Sequence, residues 1–98
     1  MGMPFTEEEI ETAWNKGTVA PGNDADKFRK DACKAWMGRS QYGNRDSQFG
    51  WEIDHIDGNS EKNVLSNLQP IQWENNLAKS DGPLKCVKEA QGRNNVSI

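Results

Sequence analysis

The stretch FGWEIDHIDGN, residues 49–59, holds the single histidine of the chain, His55, directly after Asp54. Apolar and polar residues alternate from Trp51 to His55, which is typical of a strand with one buried face. The DGN that closes the stretch favours a turn, because these residue types tolerate turn conformations. A lone histidine at a strand end is an ordinary polar residue more often than a catalytic one, so the flanking sequence has to decide its role.

A second strand and a helix are predicted after this turn. Residues 64–65 and 68–71 are mostly apolar and predict the second extended segment, with Pro70 at an edge or a strand end. A helix is predicted from residue 72 or 73 to residue 80, because Gly82 is typical of the position after a helix and the proline behind it cannot continue one. The predicted order is therefore strand, loop, strand, helix.

The sequence on the N-terminal side predicts a further helix. Thr6 and Glu9 form a capping box, so a helix should run from about residue 7 to residue 15. Residues 1–26 then consist of this helix and a loop rich in Gly, Pro, Asn and Asp.

The remaining segments have weaker patterns. One or two short extended pieces are expected around Phe28 and Trp36, and a turn of helix followed by a loop is expected over residues 39–50. The tail, residues 84–98, has little apolar periodicity and is interpreted as a short helix or as disordered. The whole of residues 1–98 is interpreted as a single domain.

Composition restricts the class of protein. No apolar run approaches the roughly 18 residues that a membrane span needs, and the start lacks the apolar region of a signal peptide. We therefore expect a soluble, cytoplasmic protein that makes no contact with a membrane. Cys33 and Cys86 lie far apart in the sequence, and for a cytoplasmic chain two reduced thiols are favoured over one disulfide.

The charge is segregated along the chain. The net charge is −3, with four glutamates close together near the N-terminus. A basic stretch follows, and a local basic patch can bind phosphates even on an acidic protein. A mixed, solvated surface is the alternative interpretation. The residues predicted to contact DNA are Arg29, Lys30, Lys34, Arg39, Arg45 and Lys79.

The segments IDHIDGN and NLQPIQWENNLAKSD resemble the HNH endonuclease family, whose core is the ββα-metal finger, also called the His-Me finger. The family pattern places Asp-His on the first strand, Asn at the start of the second, and His or Asn in the helix with a basic residue after it. The resemblance covers about residues 49–82, and the upstream YGNRDSQFG is similar to small stand-alone bacterial members. It implies an α+β fold with a small ββα-metal core, an N-terminal helix and extra loops. The matching positions are Asp54, His55, Asn67, Asn76 and Lys79.

The resemblance implies a role for each of these residues. Asp54 and Asn76 offer hard oxygen ligands and would hold one divalent cation, Mg²⁺ or Mn²⁺. His55 would be the general base that takes a proton from the attacking water. Asn67 would tie down the loop after His55 and keep the imidazole oriented, and Lys79 could contact a phosphate. Because adjacent strand residues point in opposite directions, the base and the cation are expected to flank the phosphate from opposite sides.

Two features depart from the family pattern. The helix carries Asn76 where histidine is commoner, and the CxxC pairs of some members are missing, with Gln72 and Asn75 at the positions of one pair. Structural zinc is therefore not expected, because soft ligands are too few. The core is expected to hold together through Trp51, Leu68 and Trp73.

The predicted function is a metal-dependent DNA endonuclease that hydrolyses phosphodiester bonds with weak sequence preference. A monomer is favoured, so one active site would nick one strand per encounter, whereas a dimer could cut both strands. Three other interpretations stay open: an RNA substrate, a non-catalytic nucleic-acid-binding module of the same fold, and a protein-interaction domain.

Overall fold

Two helices and three antiparallel hairpins make up the chain in the computed structural model, which describes residues 5–59 and 63–98. The fold is a small α+β domain. No helix in the described ranges is long and apolar enough to cross a bilayer. The elements are α1 (Glu7–Asn15), β1 (Phe28–Lys30), β2 (Trp36–Gly38), β3 (Trp51–His55), β4 (Leu68–Gln72), α2 (Trp73–Lys79), β5 (Lys88–Gln91) and β6 (Asn94–Ser97).

The N-terminal helix is confirmed with its capping box. The Thr6 hydroxyl accepts from the Glu9 amide at 3.1 Å, and the Glu9 carboxylate accepts from the Thr6 amide at 2.8 Å. Two otherwise unpaired amides at the helix start are thereby satisfied. Ile10 and Trp14, four residues apart, face the core.

The strand quoted at the outset is β3, and it pairs with β4 in an antiparallel hairpin. Trp51 lies opposite Gln72 at one end, and His55 lies opposite Leu68 at the other. The indole rings of Trp14 and Trp51 meet at 5.2 Å between centroids, so α1 packs against this hairpin. The main core cluster consists of Ile10, Ala13, Trp14, Met37, Trp51, Ile53 and Leu68.

The boundaries of the second strand and of α2 differ from the prediction. Residues 64–65 are exposed, and a short 3₁₀ turn at Leu65–Asn67 leads into β4, so the strand begins only at Leu68. At the end of α2 the positive φ of 50° falls on Ser80, and the expected glycine at position 82 does not take it. The apolar character of residues 64–65 therefore reflects a surface turn and not a strand.

The interpretation of the tail as helical or disordered was wrong. Residues 88–97 form the β5–β6 hairpin, with Lys88 opposite Ser97 and Gln91 opposite Asn94. Residues distant in sequence hold the hairpin in place. The Trp36 indole donates to the Gly92 carbonyl at 2.8 Å, and Asn95 Nδ2 donates to the Trp36 carbonyl at 3.0 Å. Such contacts leave no periodic signal in the tail itself.

The expectation of two reduced thiols was also wrong. Cys33, in the turn between β1 and β2, forms a disulfide with Cys86, which precedes β5, across 53 residues of sequence. A cross-link over so long a loop removes much of the conformational freedom of the unfolded chain. It joins the β1–β2 hairpin to the C-terminal hairpin.

Candidate active site

A polar pocket of about 290 Å³ opens where the end of β3 meets the last turn of α2. Asp54 and His55 reach it from the strand, and Asn76 reaches it from the helix. Three of the predicted site residues, separated by up to 22 positions, therefore share one cavity. The other lining residues are Ile53, Leu77, Ser80 and Asp81.

Asp54 lines this pocket and keeps one of its two carboxylate oxygens without a hydrogen bond from the described residues. Its Oδ2 accepts from Gln69 Nε2 at 2.9 Å and lies 3.2 Å from the ammonium of Lys79. Its Oδ1 accepts no hydrogen bond from the described residues. Since every fully buried side-chain N or O atom in that part of the chain has a partner, this Oδ1 is accessible. A carboxylate oxygen is thus available to a cation.

Lys79 lies inside the protein and not on its surface. The side chain is only 2% exposed, and Nζ also donates to the His55 carbonyl at 3.3 Å. The predicted contact of Lys79 with a phosphate stays a prediction, and in this structure the ammonium is bonded to Asp54 and to the His55 carbonyl. Lys79 instead holds the end of β3 against α2, and its charge offsets the cost of burying Asp54.

His55 points away from Asp54. Its ring is half-buried and lies 5.9 Å from the ring of Phe5, just ahead of α1, whereas Asp54 contacts α2. Its Nε2 lies 2.6 Å from Asn63 Oδ1. An amide oxygen can only accept, so Nε2 carries a proton and donates in this contact. In the neutral tautomer that has its proton on Nε2, the lone pair is on Nδ1.

Asn67 fastens the turn that follows His55. Its side chain is buried, its Oδ1 accepts from the Asp57 amide at 3.2 Å, and its Nδ2 donates to Asp57 Oδ1 at 3.1 Å. Its carbonyl accepts from the Ile56 amide at 2.7 Å. Lys16, at the end of α1, donates to the carbonyls of Leu65 and Leu68, on either side of Asn67. The turn after His55 is therefore bonded to Asn67, and the segment that carries Asn67 is bonded to Lys16.

Glu52 orients the Asn76 amide. Asn76 Nδ2 donates to Glu52 Oε1 at 2.9 Å, which leaves Asn76 Oδ1 without a partner among the described residues. Arg45 binds Glu52 in a bidentate pair at 2.7 and 2.9 Å. Burial raises the pKa of Glu52, but the hydrogen bonds from Arg45 and Asn76 and the charge of Arg45 outweigh it, so the pKa lies below its usual value.

Most of the basic residues predicted to bind DNA are engaged within the protein. Arg29 donates to the carbonyls of Asn15, Gly17 and Ala25. Arg39 pairs with Glu11 at 3.1 Å, and Arg45 with Glu52. Lys30 Nζ lies 4.7 Å from the ring centre of Trp36, while Lys34 is exposed. Arg29, Arg39 and Arg45 therefore each make bonds that stabilise the fold, and the contacts of the stretch with DNA stay predictions.

A buried polar cluster that was not predicted from the sequence lies on the other side of α2. It is formed by Asp31, Gln72 and Asn75 and is called here the polar joint. Asp31 accepts four hydrogen bonds, two of them from the Gln72 amide and from Asn75 Nδ2. Asn75 also donates to the Lys88 carbonyl and accepts from the backbone amides of Val87 and Lys88, at the start of β5. The spacing of Gln72 and Asn75, at the positions of a missing CxxC pair, was the one available signal.

Two further residues around the pocket were not singled out from the sequence: Asn63, which contacts His55, and Gln69, which contacts Asp54. Their alignment with the site depends on the strand register and on the turn after β3, which no local pattern specifies. Within the described ranges no three Asp, Glu, His or Cys side chains cluster as a metal site. Comparison of the chain with protein-family models, with curated proteins and with solved structures gave no match.

Proposed function

We propose that this protein is a metal-dependent DNA endonuclease of the HNH type, with β3, β4 and α2 as its ββα-metal core. It would hydrolyse phosphodiester bonds and nick one strand of a duplex. The observation that carries this proposal is the single pocket shared by Asp54, His55 and Asn76, next to a turn fastened by Asn67.

His55 is the proposed general base. Because Nε2 donates to Asn63, Nδ1 is the ring nitrogen whose lone pair takes the proton from water. A neutral imidazole suits this role near neutral pH, where a positioned base contributes about 10²- to 10⁴-fold to the rate. Asn67 supports the role by holding the turn through Asp57, so that the ring keeps one orientation.

The residues present fit one hard cation. Asp54 Oδ1 and Asn76 Oδ1 are both free of hydrogen bonds from the described residues, and both side chains line the pocket. A bound Mg²⁺ or Mn²⁺ would stabilise negative charge on the phosphate and on the leaving oxygen. Two protein oxygens leave room for the phosphate itself, as is usual for Mg²⁺ sites. The ammonium of Lys79, 3.2 Å from Asp54, would limit cation affinity until the phosphate is bound.

The opposed directions of Asp54 and His55 support in-line cleavage. Asp54 contacts the α2 side through Lys79, and His55 contacts the α1 side through Phe5. A phosphate between them would meet the base on the side of the incoming water and the cation on the side of the leaving oxygen. One such pocket on one chain supports a nick as the product.

A plasmid assay tests the proposal. Supercoiled DNA with Mg²⁺ or Mn²⁺ should convert to open circle, EDTA should stop the reaction, and His55→Ala should lower the rate at least about 100-fold. Val19→Ala, an exposed apolar change away from the pocket, is the control and should cleave normally. Unchanged cleavage by a folded His55→Ala variant would refute the assignment of the base. DNA binding without cleavage in any metal would favour a non-catalytic module.

The role of Asn63 has a test of its own. Asn63→Leu removes the acceptor for Nε2–H and should lower kcat about 10- to 100-fold, as for other residues that orient an active-site histidine. KM should not change, because Asn63 is not proposed to touch DNA. Asn63→Asp, which keeps an acceptor oxygen, should recover much of kcat. Equal rates for both variants would show that the ring is oriented by other contacts.

A further inference from the structure

A second pocket, of about 380 Å³, lies outside the candidate active site and shares no lining residue with it. Its walls are Phe28 of β1, Trp36 of β2 and Phe49, which precedes β3. Phe28 meets Trp36 at 81° and Phe49 at 78°, with ring centroids 6.4 and 5.6 Å apart. Edge-to-face packing of this kind fixes the rings while leaving ring faces uncovered.

These rings are not part of the main core. None of the three belongs to the cluster around Trp14 and Trp51, and Phe28 is 37% exposed. A groove of about 340 Å³ continues on the other side of Phe28 and Phe49. Phe28 therefore faces solvent on two sides and is the most exposed ring of the three, because Phe49 is half-buried and Trp36 is 8% exposed.

Cationic side chains border the same wall. Arg93, in the β5–β6 turn, lines the pocket, is exposed and has no ion-pair partner among the described residues. Lys27 lines the adjoining groove, and Lys30 Nζ lies 4.7 Å from the ring centre of Trp36. Asp26 is the acidic residue that lines the groove. Arg29, Arg39 and Arg45, by contrast, bond to backbone carbonyls or to glutamates of the same chain, whereas Arg93 makes no such bond among the described residues.

We propose that this aromatic pocket binds an unpaired base of a DNA strand, with Arg93 and Lys27 contacting the adjoining phosphates. Exposed aromatic faces bordered by cations are the arrangement by which proteins hold single strands, because every base has a π face and every nucleotide carries a negative charge. The Asn23 amide, which also lines the pocket, can donate to or accept from a base edge. This inference rests on the proposed nuclease function for the identity of the strand.

The occupant would be single-stranded or locally unpaired DNA and not an intact duplex, because a stacked and paired base has no free face. The pocket would then direct the enzyme to DNA with exposed bases, such as a gap, a flap or a melted segment. That preference is distinct from the chemistry of the His55 pocket, which acts on the phosphate alone.

The experiment measures binding in EDTA, so that no cleavage occurs, by fluorescence anisotropy. The probes are a labelled ten-nucleotide thymidine oligomer, an abasic strand of the same length and charge, and a blunt duplex. The wild type should bind the thymidine strand about tenfold more tightly than the abasic strand. Phe28→Ala should remove that difference, and Arg93→Ala should weaken binding of both strands. Val19→Ala is the matched control, because it also shortens an exposed apolar side chain.

Circular dichroism and thermal unfolding establish that the variants are folded, and Phe28→Leu gives a second test that keeps apolar bulk without the ring. Equal affinity for the thymidine and abasic strands would overturn the inference, as would unchanged discrimination in Phe28→Ala. Self-association of the wild type that depends on Phe28, with no base preference, would assign the wall to a second copy and also overturn it. Base preference without nicking would support the pocket and refute the nuclease, whereas nicking without base preference would do the reverse.

Discussion

Asn75 and Asn76 are neighbours on α2, yet their side chains lie in opposite kinds of surroundings. Asn75 is fully buried in the polar joint and makes four hydrogen bonds, two as donor and two as acceptor. Asn76 makes one, to Glu52, and keeps its Oδ1 free at the polar pocket. A turn of about 100° per residue sends one amide into the fold and the other to the site.

The same contrast separates the two carboxylates at either side of α2. Both oxygens of Asp31 are saturated with hydrogen bonds, whereas Asp54 keeps Oδ1 accessible. Saturated polar groups stabilise and specify a structure, and a free oxygen in a pocket is available for a ligand. Burial alone does not tell the two apart, because Asp31 and Asp54 are both buried.

The variants Asn75→Ala and Asn76→Ala should show the largest difference between these two kinds of surroundings. Asn75→Ala leaves two buried amides, a carbonyl and Asp31 short of a partner, and should lower the free energy of unfolding by about 5 kcal/mol. Asn76→Ala should cost less than about 1 kcal/mol but abolish nicking, because it removes a proposed cation ligand. Urea unfolding and the plasmid assay measure the two effects. Similar stability losses in both variants would mean that the two asparagines have the same structural role.

The disulfide offers the next largest effect. Cys33→Ser with Cys86→Ser should lower the free energy of unfolding by about 2–4 kcal/mol, because the unfolded chain regains the freedom of a long loop. The candidate site should work normally well below the melting temperature, since neither cysteine lines its pocket. Thermal unfolding with and without reductant provides the measurement. An equal melting temperature of the wild type with and without reductant would argue against the disulfide.

The turn after His55 can be tested with a matched pair of glycines. Gly58 has φ of 78°, and an added Cβ would lie 2.4 Å from the Asp81 carbonyl oxygen, while Gly43 has φ of 75° with nothing nearby. Gly43→Ala should cost about 1 kcal/mol for the backbone alone, and Gly58→Ala about 2–3 kcal/mol because of the added clash. Nicking should fall only in Gly58→Ala, because the turn positions His55. Equal effects in both variants would show that the backbone around Asp81 shifts and relieves the clash at little cost.

The smallest effect concerns pH and the residue that orients Asn76. Because the pKa of Glu52 is lowered by folding, its contribution to stability is complete above the unfolded value of about 4.3 and is lost as the pH falls through the lowered value. Glu52→Gln should therefore flatten the acid side of the stability curve below that pH. Urea unfolding between pH 3 and 7 measures the free energy of unfolding of the wild type and of Glu52→Gln. The same pH dependence in both proteins would show that the ionisation of Glu52 does not contribute to stability.

The sequence predicted the elements whose signals are local. The capping box at Thr6, the alternation of β3 and the start of α2 are written within a few residues each, and they were found. The disulfide, the bonds of Asp31 in the polar joint and the contacts of Trp36 with the β5–β6 hairpin join residues more than 40 positions apart, and no short stretch of the sequence contains both partners. Lys79 is a further example at the candidate site. Its spacing of three from Asn76 predicted which face of α2 it lies on, but not that its side chain is buried.

The disulfide and the proposed cation site would respond to different chemical treatments. A thiol reductant acts on the bond between Cys33 and Cys86 and so on the persistence of the fold, at a position away from the His55 pocket. A chelator would act on the cation that Asp54 and Asn76 are proposed to hold, and the hydrogen bonds of the polar joint would not depend on that cation. Durability and turnover could therefore be adjusted separately in one small domain, the first by redox conditions and the second by metal supply.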